Sequence, residues 1–273
     1  MNAKDVILAR RLGGGGGGTE ITDGIVVKAR DADGYATEVD FYGTAINRYQ
    51  FGSFYKNDFG FKKITSINLK NKITAVGSSA FKNCNNLTTL NGIDFGAITT
   101  LKEGAFSGAP SLALGEVNLT GLTSYADNYV FADCGGITKL HMYTDGNMHY
   151  GFVNNCPNLT EIVLDCVVNF TGGDSGGQYG ALGRNTALTT CQIGNIGKAC
   201  TTTASGMFSG CTQTGLTITI YTTGTYADTA LTNIRNGATN ATIIIKASED
   251  TTYNGVAYAA GEVMITSTVE AAT

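Results

Sequence analysis

The sequence predicts a mainly β solenoid of about seven or eight turns, with a small β-hairpin module and a short helix at its N-terminal end. Two observations lead to this prediction. An apolar residue followed by a short strand pattern returns roughly every 25 residues, and Asn- and Gly-rich turns separate the copies. The 273 residues also include 37 Gly, only 2 Pro and many Thr, a composition that favours strands and turns over helices.

The first 20 residues predict an anchoring segment made of a helix and a glycine run. The stretch NAKDVILARRL (2–12) can form about three helical turns, with Asn2 as N-cap and Asp5 at the third position of a variant capping box. Gly13 to Gly18 follow as a linker or packing segment. Because no Lys-Ser/Thr pair follows these glycines, we do not expect a phosphate-binding loop.

Residues 21–60 predict a separate β module that does not repeat. The stretch GIVVKARDADGYATEVDFYG (24–43) gives two strands joined at Asp31 to Gly34, with Asp33-Gly34 as the turn. At the other end of the chain, strands around Asn254-Gly255 and Gly261 are expected to cover the open end of the solenoid. The expected organisation is an anchoring segment (1–20), an N-terminal β module (21–60), the solenoid (61–247) and a C-terminal β cap (248–273).

The repeat itself is clearest in four copies: SSAFKNCNNLTTL (78–90), EGAFSGAPSLALG (103–115), NYVFADCGGITKL (128–140) and YGFVNNCPNLTEI (150–162). Fainter copies begin at residues 180 and 205, and one further strand is expected on each side, in 62–69 and 241–247. Two apolar positions recur in every copy and are expected to build the core. They are Phe81, Phe106, Phe131, Val153, Leu182 and Phe208 at the opening, and Leu87, Leu112, Ile137, Leu159, Leu188 and Leu216 before the strand.

The cysteines follow the same repeat. Cys84, Cys134, Cys156 and Cys211 share one repeat position, which Ala109 and Asn185 fill in the other copies. A small, weakly polar side chain suits a tight inward corner, so we expect buried reduced thiols. Seven cysteines without a CxxC pair argue against a disulfide scaffold or a metal site, although Cys134 and Cys156 are expected to lie close enough to bridge under oxidation.

The copy SSAFKNCNNLTTL resembles the BspA-like leucine-rich repeat, and the resemblance extends from residue 62 to about residue 247. It implies a leucine-rich-repeat-type solenoid with one strand per turn. Many proteins of that kind lie on bacterial surfaces and bind host molecules or one another. This chain lacks the regular prolines that usually follow the strands, and its turns vary more in length.

The N-terminal stretch also resembles the beginnings of bacteriophage tail and baseplate proteins, in AKDVILAR, the glycine run and ITDGIVVKARDADGYATEVDFYG. This resemblance implies a virion protein that associates with itself or with other virion proteins through residues 1–60. No signal peptide is expected, so the protein would be assembled in the host cytoplasm and released by lysis. The alternative location is a bacterial cell surface.

An enzyme is not expected, although GDSGG (173–177) is the sequence around the nucleophile of trypsin-like proteases. The chain has only two His, His141 and His149, and neither stands in the context of a catalytic base for Ser175. The motif falls in the longest interval between copies, so we interpret it as a loop. For a polysaccharide depolymerase, Asp165 with Asp174 or Glu161 could supply paired carboxylates, but no spacing singles them out.

Charge and hydropathy exclude two kinds of partner. With a formal net charge of −4, no basic surface for nucleic acid is expected. Since no run of 18 apolar residues occurs, membrane insertion is not expected either.

The leading hypothesis is a non-enzymatic virion tail, fibre or baseplate protein whose solenoid adheres to a bacterial surface protein or glycan. The alternatives are a purely architectural decoration or assembly protein, and a bacterial BspA-like adhesin. Tyr143, His149, Tyr150 and Tyr179 lie in irregular intervals of the repeat and are the candidate surface contacts. We expect no catalytic, cofactor-binding or metal-binding residues.

Overall fold

The computed structural model describes residues 6–11, 21–47, 51, 63–125, 128–171 and 180–268. In these ranges the chain is a mainly β solenoid of about seven turns with one short α-helix. The predicted leucine-rich-repeat-type solenoid is therefore confirmed.

The described elements, in chain order, are β1 (Val6–Arg11), β2 (Ile21–Arg30), β3 (Ala36–Tyr42), β4 (Ala45–Ile46), β5 (Ser66–Leu69), β6 (Ala75–Val76), β7 (Thr89–Asn91), β8 (Thr100–Leu101), β9 (Gly115–Leu119), β10 (Ser124–Tyr125), β11 (Ile137–Met142), β12 (Gly146–Met148), β13 (Glu161–Leu164), β14 (Val168–Phe170), β15 (Thr190–Ile193), β16 (Thr217–Thr222), α1 (Ala227–Arg235), β17 (Thr242–Ala247), β18 (Thr251–Tyr253), β19 (Val256–Tyr258) and β20 (Val263–Thr268).

Successive turns contribute strands to stacked sheets. The front sheet has the order β20-β17-β16-β15-β13-β11-β9, and an N-terminal sheet of order β1-β2-β3-β5-β7 precedes it in the chain. The strands β4, β6, β8 and β10 form a side sheet, and β12 pairs with β14. Pairing between turns is parallel, because each strand returns after one circuit of the solenoid.

Inward and outward side chains alternate along the strands of the front sheet. In β13, Ile162 and Leu164 point inward and are buried, while Glu161 and Val163 face outward. Thr217 and Thr219 alternate in the same way with Ile218 and Ile220 in β16. This alternation gives every turn one apolar face, and stacking joins these faces into one core.

The segments that open each repeat stack by hydrogen bonds from one turn to the next. Phe81 N donates to Ala105 O at 2.8 Å, and Phe106 N donates to Val130 O at 2.9 Å. The same register links Val153 N to Ala181 O at 3.0 Å and Leu182 N to Met207 O at 2.9 Å, so both fainter copies stack in line with the clear ones.

The phenylalanines of these openings form a continuous stack inside the solenoid. The ring centroids of Phe81 and Phe106 are 5.1 Å apart, and those of Phe106 and Phe131 are 5.4 Å apart, with nearly parallel planes. All of the predicted core positions are buried except Cys84, which is half-buried.

The shared cysteine position is an inward corner, as predicted. The Sγ atoms of Cys84, Cys134 and Cys156 lie 2.9 to 3.0 Å from the carbonyl oxygen of the Phe at the opening of the preceding turn. The thiol therefore donates a hydrogen bond that links two turns, a role that packing considerations alone did not predict. All seven cysteines are free thiols, including Cys134 and Cys156.

The N-terminal hairpin is confirmed. Strands β2 and β3 pair antiparallel, and Gly34 N donates to Asp31 O at 3.0 Å across the predicted turn. Gly34 has a φ of 84°, a left-handed conformation that glycine adopts without strain. Because β3 then pairs in parallel with β5, the hairpin adds directly to the solenoid sheet.

The predicted N-terminal helix is wrong at residues 6–11, which form strand β1. This strand pairs antiparallel with β2, matching Val6 to Val26 and Ile7 to Ile25. A short isolated helix is marginally stable, whereas β-branched residues beside an available strand gain a full ladder of hydrogen bonds. The capping residues Asn2 and Asp5 and the glycine run lie outside the described residues.

The C-terminal end contains the expected strands and one element that was not predicted. Strands β18 and β19 flank Asn254-Gly255, and β20 follows Gly261 and pairs antiparallel with β17. The helix α1, between β16 and β17, was missed. Its buried residues Ala227, Ala230 and Ile234 have helical spacing, with Asp228 in its first turn.

Candidate binding surface

The four predicted surface contacts do not form one group. Tyr143 and Tyr150 are 39% and 41% exposed, and His149 is half-buried with Nδ1 at 2.8 Å from the Thr171 hydroxyl. Tyr143 follows β11, whereas His149 and Tyr150 follow β12, so they lie at opposite ends of β12. Tyr179 lies outside the described residues.

The outward positions of the front sheet form two rows that cross the strands. Neighbours within a row are about 4.8 Å apart, the spacing of hydrogen-bonded strands. The first row is Glu116, Lys139, Glu161, Thr190, Thr217 and Thr242, and the second is Asn118, His141, Val163, Gln192, Thr219 and Ile244. Charged side chains in these rows are confined to β9, β11 and β13.

Two of these side chains, Lys139 and His141, contact the carboxylate of Glu161. His141 Nε2 lies 2.7 Å from Glu161 Oε1, and Lys139 Nζ lies 3.7 Å from the same oxygen. The hydrogen bond with His141, helped by the charge of Lys139, lowers the pKa of Glu161 below its ordinary value. Glu161 is therefore a carboxylate near neutral pH and presents an acceptor on the outer face of the sheet.

Asn118 lies opposite His141 in the register of β9 and β11. Its side-chain oxygen is buried and has no hydrogen-bond partner among the described residues. A buried acceptor without a donor costs free energy. The described residues therefore leave one hydrogen-bond acceptor on this part of the sheet without a donor.

At the corresponding outward positions of the N-terminal sheet, by contrast, the polar side chains hydrogen-bond with one another. Asn68 Nδ2 donates to Glu38 Oε1 at 2.9 Å and to Asp40 Oδ1 at 3.1 Å, and Asn91 Nδ2 donates to Asn68 Oδ1 at 2.8 Å. Lys70 lies 3.3 Å from Asp40. This amide ladder links three turns and is best explained as structural.

Threonines just before the strands are also structural. The hydroxyls of Thr88, Thr160 and Thr189 each donate to a carbonyl of the preceding turn at 3.0 to 3.1 Å. Thr99 and Thr123 repeat the contact beside the side sheet. These bonds hold successive turns in register and are not available to a ligand.

No catalytic arrangement emerges from the described residues. Ser175 and the rest of GDSGG lie outside them, and so does Asp174. Glu161 and Asp165 are four residues apart, roughly 13 Å along an extended chain, which exceeds the separation of glycosidase carboxylates. Asp165 already accepts a hydrogen bond from Asn195 Nδ2. In the ranges that the structure describes, no three His, Cys, Asp or Glu residues are grouped to hold a metal ion.

One open cleft of about 410 Å³ lies beside the β18–β19 hairpin. Its lining residues are Asp250, Thr251, Thr252, Ala257, Tyr258 and Ala259. The carboxylate of Asp250 accepts a hydrogen bond from the backbone N–H of Ala260 at 3.0 Å, so the single ionisable acid of the lining already stabilises the turn.

No helix in the described ranges is both long and apolar enough to cross a bilayer.

Comparison with protein families agrees with the geometry. The family model described as a BspA type leucine rich repeat region matches residues 52–174 in six copies. The BspA-type region covers slightly less than half of the chain, and the solenoid continues beyond it through β15, β16 and β17. No curated protein and no solved structure matched the chain.

Sequence reasoning singled out Tyr143 but missed the group of Lys139, His141 and Glu161. A signal was present, because aligning the third and fourth copies of the repeat places Lys139 opposite Glu161. The diagonal contact of His141 with Glu161 requires the parallel register as well, which only the structure gives.

Proposed function

We propose that this chain is a non-enzymatic adhesion protein that binds a bacterial surface component through its front sheet. BspA-type repeats suggest a surface or adhesion-type protein. The observation that carries the proposal is the polar group on the outer face of β9, β11 and β13, where Lys139 and His141 contact Glu161 and the side-chain oxygen of Asn118 has no partner among the described residues. The amide and acidic side chains of the N-terminal sheet, by contrast, hydrogen-bond with one another. Rigid parallel strands present this group in a fixed arrangement, which limits the entropy lost on binding.

The finer assignment, a bacteriophage tail, fibre or baseplate protein, is supported by the resemblance of the N-terminal stretch. In this proposal residues 1–60 attach the protein to copies of itself or to other virion proteins, and the solenoid is displayed. The second candidate, a bacterial BspA-like surface adhesin, is favoured by the family match over residues 52–174.

The adhesion proposal is tested with the fluorescently labelled full chain and a panel of intact bacteria. Saturable retention on at least one strain, removed by excess unlabelled chain, is expected. A chain that is retained by none of the cells, nor by their isolated envelopes, would contradict the proposal.

The assembly proposal needs a separate measurement. Light scattering of the full chain is expected to give a defined oligomer, and a chain beginning at Ile21 is expected to give the 28.5 kDa class of a monomer. Two monomers would contradict self-association through the N-terminal segment and leave the adhesion proposal unaffected.

A further inference from the structure

We propose that Lys139, His141, Tyr143 and Glu161 form a binding site for an uncharged saccharide on the front sheet. This inference rests on the proposed adhesion function and adds its ligand class and location.

The four side chains share one face of two neighbouring strands. His141 faces outward, Met142 is buried and Tyr143 is exposed, so the alternation of β11 continues one residue beyond the strand. Tyr143 is therefore on the same face as His141, roughly 7 Å further along the chain. Lys139 precedes His141 by the same distance, and Glu161 lies beside both on β13.

The polar groups offer both a donor and an acceptor to a ligand. Lys139 and His141 both contact Oε1 of Glu161, and no hydrogen bond or ion pair within the described residues engages Oε2. Lys139 is 42% exposed, so its ammonium keeps donors for other partners. A pair of adjacent hydroxyls can donate to Oε2 and accept from Lys139 at once.

The aromatic ring supplies the apolar part of the site. Tyr143 is 39% exposed and lies at the edge of the polar group, so its ring is accessible to a ligand. Sugars present hydroxyls at their edges and C–H groups on their faces. An exposed aromatic ring beside fixed polar groups matches both features.

Local charge favours a neutral ligand over an anionic one. Along the first row, the carboxylates of Glu116 and Glu161 flank the single ammonium of Lys139. An anionic polymer would meet two carboxylates, and the whole chain carries a formal net charge of −4.

The experiment uses the folded full chain and isothermal titration with four soluble polymers: the uncharged mannan, dextran and β-glucan, and the anionic alginate. Binding to at least one uncharged polymer and weaker binding to alginate are expected. Preference for alginate, or binding to none of the four, would overturn the proposal.

Matched variants locate the site. Tyr143→Ala and Glu161→Gln are each expected to weaken binding to the uncharged polymer roughly tenfold or more. The controls are Tyr150→Ala and Glu103→Gln. Tyr150 is an equally exposed tyrosine that follows β12 and is not part of the proposed site, and Glu103 is an exposed acid elsewhere, so both variants are expected to stay within about twofold of the unmodified chain. Equal losses in Tyr143→Ala and Tyr150→Ala, or no loss in both Tyr143→Ala and Glu161→Gln, would contradict the assignment.

Cell binding separates this inference from the function on which it rests. A chain that adheres to bacteria but binds none of the polymers retains the adhesion function and refutes the saccharide site. A chain that neither adheres to bacteria nor binds any of the polymers refutes the adhesion function as well as the saccharide site.

Discussion

Cys156 and Asn185 occupy the same corner of two successive turns, and they are joined by a hydrogen bond from Cys156 N to Asn185 Oδ1 at 2.9 Å. Asn185 also donates to Val153 O at 2.9 Å, the carbonyl at the repeat position that accepts from the thiol in the other turns. The amide therefore replaces the thiol as donor and adds a second link. Cys and Asn are both small hydrogen-bond donors that fit this corner, whereas Ala109 fills it without a side-chain donor.

Replacing Asn185 with Ala should leave Val153 O, Leu182 O and Cys156 N without these partners in a fully buried site. We expect the free energy of unfolding to fall by about 3 kcal/mol. Asn185→Cys, which restores one donor, should lose less. Urea denaturation of the three proteins measures the difference, and equal stability of Asn185→Ala and the unmodified chain would contradict the role of this donor.

Substitution of the central phenylalanine of the stack should lower the free energy of unfolding more than substitution at either end. Phe106 is fully buried between Phe81 and Phe131, so Phe106→Ala removes ring contacts on both sides and leaves a cavity. We expect a loss of about 3–5 kcal/mol in the free energy of unfolding. Phe106→Leu should cost less because it fills part of the space. Thermal and urea unfolding provide the measurement, and a Phe106→Ala loss below about 1 kcal/mol would be inconsistent with a continuous core.

The thiols should resist modification in the folded protein. Burial raises the pKa of Cys84, Cys166 and Cys200 to about 12, and that of Cys211 to about 11. At pH 8 these groups are almost entirely protonated, and the thiolate is the reactive form. Absorbance with an aromatic disulfide reagent should show slow reaction in buffer, with the half-buried Cys84 fastest, and rapid reaction of all seven thiols in denaturant. Rapid reaction of several thiols in buffer would contradict their burial.

Acid should weaken the contacts of Glu161. Its folded pKa lies below the ordinary value of 4.5, so its contribution to stability is fully present above pH 4.5 and is lost as the pH falls through the folded value. The side chain is partly exposed, so we expect about 0.5 kcal/mol. Melting curves of the unmodified chain and Glu161→Gln should differ slightly at pH 7 and converge near pH 3. A difference that grows on acidification would have the wrong sign.

The repeated part of the fold was predictable from individual residues. Phe106 and Cys134 recur at fixed positions, so their burial follows from the period alone. Strand β1 was not predictable in the same way, because VILARR is compatible with a helix until its pairing with β2 is known. Helix α1 was missed because it occurs once and replaces the turn of a single repeat. The contact of His141 with Glu161 depends on strand register, which one sequence does not specify.

Binding of bacteria through the front sheet is tested by two charged substitutions on different sheets of the solenoid. Val163→Arg places a long cation on the front sheet beside His141, whereas Thr100→Arg places the same side chain on the side sheet. If the front sheet binds the bacterial surface, Val163→Arg should reduce retention of the labelled chain on intact cells at least roughly tenfold, and Thr100→Arg should leave it unchanged. Loss of retention in Thr100→Arg with normal retention in Val163→Arg would show that the front sheet is not the binding surface.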